Sequence, residues 1–596
     1  MTASQHLMPF GTQILPDGSV LFNLFAPAQP SVNLKLAHLD HPLPMAAQPD
    51  GWHTLTTADA RPGTRYTYLL PDTTEAPDPA SRFQPEDVHG PSEVIDPSAF
   101  IWTDDAWRGR PWNEAILYEL HIGTFTPEGN FPAATLRLDH LAALGITAIE
   151  LMCIDEFPGN RNWGYDGVLP FAPDSAYGRP EEAKAFINRA HDLGLMVLLD
   201  VVYNHFGPEG NYLPKFLPNL SSDRHHTPWG QALNFDGPGS QPVRDLILHN
   251  AVYWVQEFHF DGLRLDASHA MIDESPHHIL DELRECIQQT ADQRYVHLIL
   301  ENEINIAGRL ARDAEGRPSG YTAQWNHDIT HLLSAVMGKP CDQRQQDDAG
   351  ETERLGKALA FGFVIALDEQ GGLTEALRVP PTAYIAFIQT HDLIGNRIFG
   401  DRIDQTVSPE AVKAIASICL LLPQVPMLFM GEEWAASTPF PYFCDYHGDL
   451  AEAVRKGRCD QLSKQDPAPS PDELRRAPDP QAESTLRSAQ LQWSETTQGE
   501  HAERLAWYTR LLHLRTRRIV PLLAGLTETC GHYEVHGPGA LAVHWTLAHG
   551  ARLHLTTNLC ASTHTPVPPQ PGELLYQQGT PNAPWSVTWT LENQNG

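Results

Sequence analysis

Four apolar runs in this chain end on ionisable residues, and that repeated arrangement constrains the fold more than any other feature. FHFDGLRLDASHA (258–270) carries Arg264, Asp266 and His269; MVLLDVVYNH (196–205) ends in Asp200, Asn204 and His205; VHLILENE (296–303) ends in Glu301 and Glu303; AYIAFIQTHD (383–392) ends in His391 and Asp392. Period-2 alternation puts Arg264 and Asp266 on one face of a strand. Alone, that pair reads either as an ion pair closing a strand or as part of a site, since burying charges without a task is costly. Several buried strands ending in polar groups are what the carboxyl-terminal face of a β/α barrel collects, each strand adding one or two groups to a shared site.

The rest of the chain supplies the remaining strands. Apolar runs separated by helical periodicity fall at 115–120, 146–151, 196–202, 260–265, 296–300, 321–325, 383–388 and 425–430. Eight is the number that closes such a barrel. The sixth has the poorest pattern, because Gln324 and Asn326 interrupt it. Helices are expected at 135–145, 181–194, 242–258, 276–291, 327–337, 408–422 and 499–519, with a polar insertion at 340–356. The expected fold is therefore α/β: a (β/α)8 TIM barrel over 115–521, with insertions at 206–240 (a loop rich in Pro, Gly and Asn) and 439–494 (a lid or a partly ordered excursion). Residues 1–95 alternate and break at prolines like a small β-sandwich, immunoglobulin-like in kind and similar to a carbohydrate-binding module. In it, Trp52 and Tyr66 read first as core and second as planar rings suited to the apolar faces of sugar rings. Residues 522–596 return to short alternating segments, an antiparallel β domain. Between sandwich and barrel, 96–114 is a linker, and the Pro-rich, acidic stretch 73–98 leading into it is expected to lie extended over the surface of the next domain.

Composition narrows the function. With 596 residues, about three to five domains are expected. The 74 acidic and 41 basic residues leave a net charge of -33, which disfavours nucleic acid or an anionic membrane as partner and favours a neutral or cationic ligand. No leader and no apolar window of about 18 residues is evident, so a cytoplasmic protein is expected. The eight cysteines show no ligand or redox spacing and read as ordinary packing in a reducing compartment. Asp200, Asn204 and His205 could make an oxygen-rich calcium site, yet no calcium loop or zinc spacing is present. No metal and no cofactor are expected, and His225 and His226 read as solvent-facing.

Carboxylates at a barrel mouth suit chemistry at an acetal carbon. At about 5 Å separation two of them act as nucleophile and general acid, whereas about 6.5–9.5 Å admits a water and inverts the product. The Arg264 charge should keep Asp266 ionised as nucleophile. Glu301, after an apolar strand and near acidic Glu303, should have a raised pKa and hold a proton for the leaving oxygen. Asp392 could accept hydrogen bonds from sugar hydroxyls that strengthen in the transition state, with His205 and His391 as neutral donors beside it.

DVVYNH (200–205), GLRLDASHA (262–270), LENE (300–303) and THD (390–392) together resemble the four signature segments of the alpha-amylase family of retaining glycoside hydrolases and transglycosylases. The resemblance implies Asp266 as nucleophile, Glu301 as acid/base and Asp392 as transition-state carboxylate. It puts His205, Arg264 and His391 in sugar-contacting positions and Tyr165, in NWGYDG, as a stacking tyrosine. The sequence departs from the family pattern at Asn302 and Glu303, where a small residue and then Asp are usual. Within the family, YELHIGTF (118–125) and NWGYDGV (162–168) are similar to both glycogen branching enzymes and maltooligosyltrehalose trehalohydrolases. NHFGPEGNYL (204–213), THDLIGNR (390–397), FMGEEW (429–434) and TPFPYFCDYHGDL (438–450) are similar to the second group. That similarity implies hydrolysis of the α-1,4 bond next to the trehalose end of a maltooligosyltrehalose, releasing trehalose and a maltooligosaccharide, in functional pairing with a maltooligosyltrehalose synthase. A branching enzyme and a general α-glucanase are the alternatives. Trehalose selection requires a bounded acceptor pocket, for which 206–212, 303–305 and Asn396 with Arg397 are candidates.

Overall fold

Eight parallel strands close into a barrel in chain order: β1 (Leu117–Leu120), β2 (Ala148–Leu151), β3 (Met196–Val201), β4 (Gly262–Leu265), β5 (His297–Leu300), β6 (Ala323–Trp325), β7 (Tyr384–Ala386) and β8 (Val425–Phe429), which pairs back onto β1. The computed structural model describes residues 5–291, 293–313, 316–338, 348–367, 372–374, 379–465, 467–560 and 566–593. Alternation along the strands builds the interior in layers. Leu117, Ala148, Leu198, Ile299, Ile385 and Met427 fill the barrel with apolar side chains. Two residues further along their strands stand Glu119, Glu150, Asp200 and Glu301, all buried, so the apolar plug gives way to a charged layer at the carboxyl-terminal end. Residues of opposite parity, such as Ile149, Leu199 and Leu265, pack outward in the main core with the helices.

The expected sixth strand is β6. The polar residues at its end are buried rather than exposed: Gln324 Nε2 donates to the Asn302 carbonyl at 3.2 Å, and Asn326 Nδ2, just past the strand, donates to the Gly362 carbonyl at 3.0 Å. Ahead of the barrel two antiparallel sheets face each other, one built around Val20–Phe25 and Trp52–Thr57, the other around Asn33–Leu36 and Arg65–Leu69. Phe22, Leu34, Tyr66 and Tyr68 fill the space between them. Tyr66 is therefore core, and Trp52 is half-buried against Phe25 at 5.2 Å. After the barrel, Gly531–Gly537, Ala540–Thr546, Arg552–Asn558, Ser586–Glu592 and Glu573–Gln578 form one five-stranded antiparallel sheet.

Several local expectations need correction. The stretch 73–98 does not lie over the surface along its length: Asp78, Ser81, Arg82 and Gln84 are buried. Arg82 Nε donates to Glu257 Oε1 at 3.1 Å on helix Gln241–Glu257, and Asp78 Oδ2 accepts from Tyr66 Oη at 2.8 Å, so counter-charges and hydroxyls draw the segment into the interface. Of the expected polar insertion, 340–347 lies outside the described residues, and the remainder belongs to helix Asp348–Phe361. The 206–240 loop contains a short helix, Leu213–Phe216, and a hairpin of Ser221–Thr227 with Gly230–Leu233. A second unexpected hairpin, Asp155–Glu156 with Leu169–Pro173, follows β2. The 439–494 excursion is largely helical, with Gly448–Leu462, Pro471–Arg476 and Glu483–Ala489. Among the described residues six cysteines, including Cys153 and Cys444, are free, whereas Cys560 is disulfide-bonded, a pairing that sequence spacing did not reveal. None of the described helices is long and apolar enough to cross a membrane.

Candidate active site

Arg264 is the centre of the charged layer. It stands opposite Asp200 in the β3–β4 register, and its Nη1 donates to both Asp200 oxygens at 2.9 and 2.8 Å and to Asp266 Oδ1 at 2.7 Å. Its Nη2 lies 3.9 Å from Glu301 Oε2, and the guanidinium sits 4.2 Å over the Trp325 ring. A planar, permanently charged fork is the side chain suited to hold three carboxylates at once. Burial pushes Asp200 up to about 7 even so, opposed by Arg264 and reinforced by Asp266. Glu150, deeper and without a hydrogen-bond partner among the described residues, is pushed well above the carboxylate range by burial.

Asp266 follows β4 directly. Asn204 Nδ2 donates to its Oδ2 at 3.0 Å and to its carbonyl at 2.9 Å, so both carboxylate oxygens have fixed donors. Ala267 then turns into the left-handed region at φ 39, and this bend aims its N–H at Glu301 Oε2, 2.7 Å away. Backbone strain of this kind persists only where the surroundings enforce it. Ser268 supplies that enforcement, since its N–H and its hydroxyl both donate to the Glu301 carbonyl, at 2.9 and 2.8 Å.

Glu301 departs from expectation. Burial favours its protonated form, but the hydrogen bond from His327, the Arg264 charge and the Ala267 N–H hold it down to about 2. Glu303 does not raise it, because that side chain is exposed on the loop after β5. His391 is corrected in the opposite sense. Burial opposes charging it, yet Asp392 at 3.4 Å and Glu119 at 2.5 Å carry it up to about 9, so it is an imidazolium rather than a neutral donor. His205 is neutral as expected, lowered by burial.

Asp392 lies on the short helix His391–Gly395, capped by Thr390, and its side chain is about half exposed at the mouth. Tyr165 hangs from the hairpin after β2: its hydroxyl donates to Asp200 Oδ2 at 2.7 Å, and its ring stacks on His391 at 5.0 Å. Gly164 makes that loop possible, since a Cβ there would lie 2.2 Å from the Cys153 carbonyl oxygen. His205 Nε2 reaches the Tyr165 carbonyl at 3.1 Å, and Trp229, half exposed at the tip of the 221–233 hairpin, stacks on His205 at 5.4 Å.

Three candidates stand further out. His269, on the turn after Asp266, has a buried Nδ1 without a partner among the described residues. Asn396 Nδ2 reaches Asp392 Oδ1 at 3.4 Å and is gripped from the 439–494 excursion by Arg458, which donates to Asn396 Oδ1 at 2.9 Å. Arg397 does not join the carboxylates; its Nη1 donates to Thr406 Oγ1 at 3.0 Å. His225 is not solvent-facing either, pairing with Asp236 at 2.9 Å, whereas His226 is exposed.

The family model for the alpha amylase catalytic domain matches residues 95–229, and a domain of unknown function (DUF3459) matches 530–589. A malto-oligosyltrehalose trehalohydrolase from Saccharolobus solfataricus is 37% identical over 585 residues, covering 96% of this chain and 98% of its own. This chain belongs to the malto-oligosyltrehalose trehalohydrolase family. A 1,4-alpha-glucan branching enzyme from Burkholderia thailandensis is similar over only 33% of the chain, at 35% identity. Among solved structures, a Salmonella typhimurium protein provisionally assigned as an alpha amylase superposes with TM-score 0.91 at 39% identity, covering 98% of this chain and 100% of its own. As a trehalohydrolase-family member of the alpha-amylase family, the chain is a glycoside hydrolase.

In this trehalohydrolase-family site the sequence reading missed Glu119, Ala267, Trp325 and His327. Glu119 was visible only as the last inward position of β1, and Trp325 as the last residue of a strand with a poor pattern. His327 carried no signal, because its helical context looked ordinary.

Proposed function

We propose that the chain hydrolyses the α-1,4 bond joining the trehalose end of a maltooligosyltrehalose to its glucan, with retention, releasing trehalose and a maltooligosaccharide. The observation that carries this reading is the near full-length similarity to a trehalohydrolase on both chains, combined with Asp266 and Glu301 gathered around one guanidinium. Asp266 is the nucleophile: Arg264 and Asn204 fix its two oxygens, and an oxygen lone pair attacks the anomeric carbon of the glucose next to trehalose. Glu301 protonates the departing oxygen and then takes a proton from the water that releases the glycosyl group. Asp392, with the His391 imidazolium beside it, accepts hydroxyl hydrogen bonds as the ring flattens. Tyr165 and His205 line the same sugar, and His269 and Asn396 stand at its margins; Arg397 bounds the pocket only from a distance.

The 1–95 sandwich and the 522–596 sheet are non-catalytic in this reading, flanking a 115–521 barrel, and the protein works in the cytoplasm beside a maltooligosyltrehalose synthase. Proton NMR of maltotriosyltrehalose digestion, recorded before mutarotation, tests the reaction. The expected products are trehalose and α-maltotriose; β-maltotriose, or no trehalose, overturns it.

A further inference from the structure

His327 is the first residue of helix His327–Gly338, two positions beyond the end of β6. Its Nε2 lies 3.2 Å from Glu301 Oε1, while the other oxygen of that carboxyl accepts from the Ala267 N–H. The imidazole has little freedom. It meets Phe387 edge-on at 5.6 Å and leans on Trp325 at 6.1 Å, and Asn326, just before it, is anchored by hydrogen bonds to Gly362 and Gln424. One Glu301 oxygen thus faces a fixed amide, and the other faces a titratable ring.

From this arrangement we infer that His327 is the positioning residue and proton partner of Glu301, so that the pair, rather than the carboxyl alone, holds the proton used in the reaction; the inference rests on the acid/base role given to Glu301 above. In the resting pair one proton is held between His327 Nε2 and Glu301 Oε1. When the glycosidic oxygen arrives, the proton passes from Nε2 to the Glu301 carboxyl and on to the leaving oxygen as the C–O bond breaks and the bond to Asp266 forms. Imidazole and carboxylate are then both unprotonated. In the second step a water loses a proton to the pair as its oxygen attacks the anomeric carbon and Asp266 departs, which restores the starting state. The need for a partner follows from the geometry: Glu301 Oε2 is taken by the Ala267 N–H, so Oε1 and the imidazole that faces it carry the mobile proton. Among the described residues the charged neighbours are few. Arg264 faces Glu301 from β4, His331 stands one helical turn beyond His327 at 6.0 Å, Asp328 turns away to the Val364 N–H, and Glu303 is exposed.

Two coupled groups bind their first proton at a macroscopic pKa no lower than that of either member alone. Removing the imidazole therefore moves the basic limb of the rate profile to lower pH. The test compares full-length wild type with H327Q and H327N on two substrates, maltotriosyltrehalose and an aryl α-maltotrioside with a nitrophenol leaving group, which departs without protonation. The expected result is a kcat on the first substrate lower by about 100-fold at neutral pH, with KM within about threefold, a basic limb shifted to lower pH and a nitrophenol burst rate nearly unchanged. An equal loss on both substrates, an unmoved basic limb or an unchanged kcat overturns the inference. If wild type releases no trehalose, the substrate assignment fails, and maltopentaose replaces the first substrate in the same comparison. H327N decides the case where H327Q loses the native circular-dichroism spectrum.

Discussion

His391 sits between Glu119 and Asp392, and its charge links the site to stability. Its pKa rises from 6.5 to about 9 on folding, so the stabilisation is complete below about pH 6.5 and is lost as pH rises through about 9. For a wholly buried ring the shift corresponds to something on the order of 3 kcal/mol. Thermal midpoints should therefore fall between pH 6.5 and 9.5, and Glu119→Gln should flatten that fall; an identical slope in the variant would contradict the assignment. Asp266, Glu301 and Asp392 were legible because a charge at the end of an apolar strand is costly without a role. The protonation states of Glu301 and His391 were not. Glu301 is set by His327 and Ala267, which are distant or unremarkable in sequence, and His391 by Glu119, 272 positions away.

At the scale of elements, the site depends on β4 and β5 lying at close register. Gly262 pairs with His297, and a Cβ on it would stand 2.3 Å from the His297 carbonyl oxygen. Gly262→Ala should therefore cost about 1–3 kcal/mol, since overpacking against backbone has no side chain to displace. Urea unfolding followed by tryptophan fluorescence reads this cost, and a midpoint equal to wild type would show that the strands separate without penalty. The eight strands were legible from their apolar runs. The two hairpins at 155–173 and 221–233 were not, because their strands are short, polar or proline-bearing and pair locally around loops that reach the mouth. Helix Asp348–Phe361 was hidden by the same polar surface that made its segment look like an insertion.

Across the whole molecule, the parts are joined by buried charge as well as apolar contact. Arg82, from the stretch after the sandwich, meets Glu257 at the end of a barrel helix with both side chains almost wholly enclosed, and Lys184 stands 3.7 Å from the same carboxylate. Composition marked 73–98 as an extended connector, and only the three-dimensional partner of Arg82 shows why it is interior. At the mouth, the 439–494 excursion bears on the site through Arg458 and Asn396, and the hairpin bearing Trp229 closes on His205. In the proposed reading these walls bound the acceptor side of the site, where trehalose has to be distinguished from maltose. A pocket built to pair the hydroxyls of one disaccharide penalises another by leaving buried polar groups unmatched. The most direct measurement is kcat/KM for maltotriosyltrehalose and maltopentaose supplied together to the purified full-length protein. The account predicts preferential cleavage of the first with release of trehalose, by about 100-fold or more; equal cleavage of both, or new α-1,6 bonds in amylose, would contradict it.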